Sequence, residues 1–159
     1  MTSVVTATKS HKPYLIQAMA HLLEHVRDTS QDAYLLRLTD DYISESAKWL
    51  EDRYQSELSS ILIAEENGNP IGYVIGTVTK PFLQRCAIQE IGLIEHCWVE
   101  KECRMKGVAN KLVKAIEAWF KQRSIHYIDV QYLLGNLEAE GTWENLGYKP
   151  YRVIARKLI

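Results

Sequence analysis

Ile94-Glu95-His96-Cys97-Trp98-Val99, followed after a short polar turn by Arg104-Met105-Lys106-Gly107-Val108-Ala109, is the stretch from which the fold is read. Ile91 to Val99 is rich in residues that suit a pleated strand. From Val108 the apolar residues Leu112, Ala115, Ile116, Trp119 and Phe120 recur at helical spacing, with Lys111, Lys114, Glu117 and Lys121 on the opposite face. Tyr127 to Tyr132 reads as a second strand. Strand, helix and strand at this spacing predict a right-handed βαβ crossover between parallel neighbours.

The start of that helix is a place for an anion. Its first backbone N–H groups have no intrahelical partner, and the aligned peptide dipoles add partial positive charge there. Gly107 has no Cβ and Ala109 only a methyl, so a diphosphate can approach bare backbone, with Arg104 and Lys106 adding charge nearby.

Outward from this unit, Val4 to Thr8 reads as a strand and Pro13 to about Arg27 as a helix, capped at Ser10 or a neighbour. Asp28 to Asp41 is polar and irregular. A helix over Ile43 to Tyr54 follows, then a hairpin of Ile61–Glu65 and Ile71–Thr79 around Asn67-Gly68-Asn69-Pro70, and the chain closes with a predicted strand from Pro150 to Ile159. No repeat or linker divides the 159 residues, so one domain over 1–159 is expected. The chain is 47% apolar and 25% charged with a net charge of −1, a globular balance with no basic stripe for nucleic acid. No segment has the length and apolarity of a membrane span or signal peptide, and Cys86, Cys97 and Cys103 form no disulfide framework, which points to the reducing cytoplasm.

The pattern Arg104-x-x-Gly107-x-Ala109 after a strand ending in Trp98-Val99, with Asn136, Ala139 and Trp143-Glu144-Asn145-Leu146-Gly147-Tyr148 further on, resembles the acetyl-CoA signature of the GCN5-related N-acetyltransferase (GNAT) superfamily. The resemblance covers nearly the whole chain. It implies an α/β fold with a mixed, mostly antiparallel sheet of six to seven strands, flanked by about four helices and parallel at the βαβ unit. It implies acetyl-CoA as co-substrate, no metal, and direct transfer of the acetyl group to a primary amine in a ternary complex. Carried over residue by residue, backbone N–H groups of Met105, Lys106, Gly107, Val108, Ala109 and Asn110 would hold the diphosphate, with Arg104 and Lys106 at its edge. Main chain at Cys97, Trp98 and Val99 would pair with the pantetheine arm and polarise the thioester, with Asn136 and Trp143 across from it.

Glu95 is the implied general base. An alkyl amine with a pKa of about 10.4 is protonated at neutral pH, and removing that proton costs roughly 4–5 kcal/mol. The plain alternative is that Glu95 simply pairs with a cation. Strict alternation would put Leu93, Glu95, Cys97 and Val99 on one face of the strand and Ile94, His96 and Trp98 on the other. The tail departs from the family pattern: the tyrosine that many members place seven residues after the Asn is Trp143 here, and indole is no proton donor. Expelling a thiol of pKa about 8.5 as thiolate concedes only roughly 2 kcal/mol, so the departure need not abolish activity. Tyr132, Tyr148 and Tyr151 are alternatives among which the sequence does not choose.

Two other readings remain. One is a non-catalytic acyl-CoA-binding module. The other is a zinc hydrolase, since His21-Leu22-Leu23-Glu24-His25 matches H-x-x-E-H, although no third ligand is evident and two histidines on the polar side of the first helix is the simpler reading. The amine acceptor is open: Asp28, Asp32, Asp40 and Asp41, with Tyr34 between them, would suit a cation but equally a solvated surface. A strand at the C-terminus would offer an edge for a homodimer.

Overall fold

The computed structural model describes residues 1–30 and 37–159. Strands β1 (Thr2–Thr6), β2 (Ser59–Glu66), β3 (Asn69–Thr79), β4 (Ile91–Val99) and β5 (Ile128–Val130) form one sheet in sequential order. The first three pairings are antiparallel and β4–β5 is parallel. Helices α1 (Lys12–Thr29) and α2 (Tyr42–Gln55) cover one face, and α3 (Val108–Gln122) covers the other and links β4 to β5. Helix α4 (Leu137–Asn145) follows β5.

Because both faces are covered, β2 buries every residue from Ser60 to Ala64. On the α1–α2 face Leu15, Met19 and Leu50 pack on Ile61, Ile63, Tyr73, Ile75 and Trp98. On the other face Leu112, Val113, Ile116 and Phe120 pack on Leu62, Val74, Val78 and Ile94. The helix α3 lies almost on bare sheet. A Cβ built on Gly76 would fall 2.7 Å from Ile116 Cγ1, and one on Gly92 2.8 Å from the Phe120 ring. The hairpin between β2 and β3 turns on Asn67 and Gly68, both with positive φ (54° and 77°), as a two-residue turn of the right twist requires.

Three expectations are corrected. The sheet has five strands, not six to seven, because residues 148–159 carry no regular structure. The β-forming side chains of that tail, Val153, Ile154, Leu158 and Ile159, are exposed, for a strand exists only with a partner and a face to cover. The tail is tied down by the Tyr151 hydroxyl, which donates to Asp129 at 2.5 Å, and by Arg152 over the Phe82 ring. β1 starts and ends two residues earlier than read, because Thr8 instead caps a 3-10 turn at Lys9–His11. Strict alternation along β4 fails as well. The register slips between Ile75 and Gly76, which pair with His96 and Ile94, so Glu95 is an extra residue in a bulge. Ile94 therefore shares the α3 face with Cys97 and Val99, while Glu95 and His96 both meet groups of the α1–α2 face.

Candidate active site

The pairing of β4 with β5 ends at Ile94 and Val130, whereas β3 stays paired with β4 as far as Val99. Beyond Ile94 the main chain of β4 therefore has a strand on one side only. The gap between the diverging strands opens into a cleft of about 320 Å³. Cys97, Trp98 and Val99 wall it from β4, Arg104, Met105, Gly107, Val108, Ala109 and Asn110 from the turn and start of α3, and Asn136 and Trp143 from the side of α4. Of the residues singled out in the sequence for this place, Lys106 alone is not part of the wall.

The start of α3 is open. Gly107 is its N-cap in the left-handed conformation (φ 77°), no side chain caps it, and a Cβ there would meet nothing within 4 Å. The N–H groups of its first turn are donors without side-chain acceptors. Met105, wholly exposed, also has a left-handed φ of 58°, a strained setting for a side chain with a Cβ.

Arg104 is already engaged. Its Nε donates to the Val99 carbonyl at 3.0 Å, its Nη1 to Glu138 at 2.9 Å, and its guanidinium lies 4.6 Å from the Trp98 ring centroid. Glu138 also approaches His25 Nε2 at 3.5 Å, so one carboxylate ties α4 to the turn before α3 and to α1. Trp98 is 8% exposed, flanked by His21 and His25, and its indole N–H is buried without an acceptor among the described residues. Asn136 caps α4, its Oδ1 accepting from the Ala139 N–H at 3.2 Å. Trp143 is buried at 7% against Tyr148, so it is at once core and cleft wall. Burial pushes the Cys97 thiol up to about 12, which keeps it a packed, neutral group.

Glu95 lies elsewhere, on the other side of the strand. Arg53 of α2 holds it with Nε to Oε2 at 2.7 Å and Nη2 to Oε1 at 2.8 Å, and the Thr77 hydroxyl donates to Oε2 at 2.6 Å. A carboxylate has roughly four acceptor positions, and these three donors leave one, on Oε1. Beside it a second cleft, of about 260 Å³, is lined by Trp49, Leu93, Ile94, Glu95, His96 and Gln131. His96 stacks on Trp49 at 4.7 Å, with Arg53 on the same indole, and burial above all holds its pKa down to about 4.

The other sequence candidates do not gather here. Neither Tyr132, Tyr148 nor Tyr151 lines the first cleft. The Tyr148 hydroxyl donates to Glu117, and burial with that bond pushes its pKa up. His21 and His25 pack against Trp98 and are partly buried, Glu24 accepts from the Tyr42 hydroxyl, and among the described residues no three His, Cys, Asp or Glu side chains converge as metal ligands. Asp28, Asp40 and Asp41 are exposed and line neither cleft; Asp32 and Tyr34 lie outside the described residues. Sequence reading missed Arg53, Thr77, Trp49, His96 and Glu138, and singled out His25 only as a metal ligand. Arg53 is 42 residues from Glu95, and no local pattern joins them.

Among the described residues no helix is long and apolar enough to cross a membrane. The acetyltransferase (GNAT) family model matches residues 23–148. A Bacillus subtilis protein described as the uncharacterized N-acetyltransferase YhfO is 29% identical over 101 residues, 64% of this chain and 66% of that one, just under two thirds of its length. The apo aminoglycoside 6'-N-acetyltransferase AAC(6')-IG of Acinetobacter haemolyticus superposes with a TM-score of 0.78 at 15% identity, over 99% of this chain and 97% of that one. A predicted acetyltransferase with acetyl-CoA from Clostridium acetobutylicum does so with a TM-score of 0.77 at 18% identity, over 99% and 96%. At such identities the solved structures speak for the fold alone. The splayed strand, the uncapped helix start and α4 all fall inside the stretch that the family model matches, and the chain belongs to the GNAT family of acetyltransferases.

Proposed function

We propose that this protein transfers the acetyl group of acetyl-CoA to a primary amine by direct attack in a ternary complex. The observation that carries the reading is that one cleft joins an unpaired strand edge, Cys97 to Val99, to the uncapped N-terminus of α3. The edge suits the amide-bearing pantetheine arm, which can add to it as a strand does, and the helix start suits the diphosphate. The solved relative that carries acetyl-CoA supports the same assignment.

The chemistry then divides between the two sides of β4. A main-chain N–H at the free edge would polarise the thioester carbonyl. The amine would arrive through the second cleft and give its proton toward Glu95, whose remaining acceptor position on Oε1 is the place for it. No tyrosine among the described residues lines the first cleft, so the thiolate would leave unprotonated and take its proton from solvent. We place the activity in the cytoplasm, in keeping with three unpaired thiols.

Calorimetric titration with acetyl-CoA, beside Gly107→Glu, tests the cofactor half. Binding by the parent chain that is lost in the variant supports it, and no binding by the parent chain refutes it. Glu95→Gln tests the chemical half: a fall in kcat of about 10² or more with unchanged acetyl-CoA affinity supports the role of Glu95, and an unchanged rate across pH removes it. The close pairing of Glu95 with Arg53 favours a second reading, an acyl-CoA-binding module without turnover, which predicts binding but no acetylation of any amine.

A further inference from the structure

The second cleft says something about the acceptor, on the premise that the reading just given is right. We propose that it takes a monoamine bearing an uncharged hydrogen-bond acceptor close to the amine, and that His96 selects this molecule by donating a hydrogen bond from Nε2.

The first support is the charge balance of the lining. Glu95 is matched by Arg53 through two hydrogen bonds, and the rest of the lining is Trp49, Leu93, Ile94, His96 and Gln131. Trp49 already carries two partners, His96 stacked on it at 4.7 Å and the Arg53 guanidinium 4.5 Å from its centroid. One amine finds the last position on Glu95. A second or third ammonium on the same molecule finds no unmatched carboxylate among the described lining residues, and a carboxylate on the acceptor finds its cation already taken.

The second support is the tautomer of His96. Tyr73 is fully buried, its hydroxyl meets His96 Nδ1 at 3.3 Å, and burial pushes its pKa well up, so it keeps its proton. If Nδ1 carried the hydrogen, the Tyr73 O–H would have no acceptor inside the core. The hydroxyl therefore donates to Nδ1, which leaves the hydrogen of the neutral ring on Nε2. Among the described residues nothing accepts from Nε2, yet it is not sealed off as the Trp98 indole N–H is. Glu95 and His96 line the same cleft, so the acceptor position and this donor can serve one bound molecule. A donor and an acceptor in one small cleft match a molecule that carries an N–H and a neutral oxygen close together. A site built to donate rejects analogues that lack the oxygen, because its own polar group is then left unpaired.

The test compares kcat/KM at saturating acetyl-CoA for L-phenylalaninamide and phenethylamine, which share the 2-phenylethylamine unit and differ by the carboxamide, and for spermidine and tobramycin as polycations. The parent chain is expected to favour the amide over phenethylamine at least tenfold and over both polycations. His96→Phe should bring the amide-to-phenethylamine ratio to near one, whereas His96→Gln, which restores a donor, should recover part of it. Equal ratios in the parent and His96→Phe, or a polycation as the best substrate, overturn the inference. Binding of acetyl-CoA with no turnover of either monoamine also overturns it but leaves the cofactor reading standing. Failure to bind acetyl-CoA at all brings down the reading beneath it.

Discussion

Replacing Arg53 by Met keeps an unbranched stem against Trp49 and removes the charge that holds Glu95. The pair is mostly buried, with side-chain exposures of 23% for Arg53 and 14% for Glu95, and its bonds of 2.7 and 2.8 Å are of charge-assisted length. Stripping the partner from a fully buried ion costs about 3–5 kcal/mol. Because the guanidinium still reaches water, we expect about 2–3 kcal/mol for Arg53→Met, with the Thr77 hydroxyl left as the one donor to Glu95. For a chain of this size that is a fall in Tm of about 5–10 °C. Glu95→Gln keeps the shape and leaves an Arg that can turn outward, at about 1–2 kcal/mol. The double variant has no uncompensated charge, so it should cost about 2 kcal/mol less than the sum of the two. Urea unfolding of the parent, both single variants and the double variant, with m checked for constancy, measures this directly. Single-variant costs that add to within about 0.5 kcal/mol would show that the two side chains act independently and would refute the reasoning.

Three further outcomes follow from the geometry. Gly76→Ala forces a methyl to within 2.7 Å of Ile116 and 2.8 Å of Phe120, both fully buried, so denaturation should show a loss of about 2–3 kcal/mol. His96 titrates in the unfolded chain near 6.5 but in the fold near 4, so its contribution is complete above pH 6.5 and is lost as pH falls toward 4; His96→Gln should remove about 3 kcal/mol of the acid sensitivity in that window, read from stability curves of the two proteins. Glu138 holds Arg104 where a diphosphate is expected, so Glu138→Gln should tighten CoA binding about threefold or more, with pantetheine affinity unchanged by calorimetry.

What was legible in the sequence was local. The helix from Val108 announced itself through its period, its open start through the missing side chain of Gly107, and the hairpin through Asn67-Gly68, each within a few neighbouring residues. The wall of the first cleft followed, because β4, the turn and α3 are contiguous in the chain. Glu95 was singled out, but its setting was not legible. Its partner comes from α2, and the bulge that places His96 beside it arises from a register slip against β3. The tail misled for the related reason that Val153 and Ile154 have the intrinsic shape for a strand, while pairing is decided by what lies alongside.

The glycines beneath α3 carry a consequence for how such a protein can diverge. At Gly76 and Gly92, under Ile116 and Phe120, the helix that would hold the phosphates meets bare backbone, and a carbon added there would collide with it. That half of the molecule has few neutral changes open to it. The second cleft is furnished by side chains, Trp49 and His96 among them, that can be exchanged without moving a strand. Drift and selection should therefore accumulate there, so that one donor specificity is inherited while acceptor preference is rewritten from lineage to lineage.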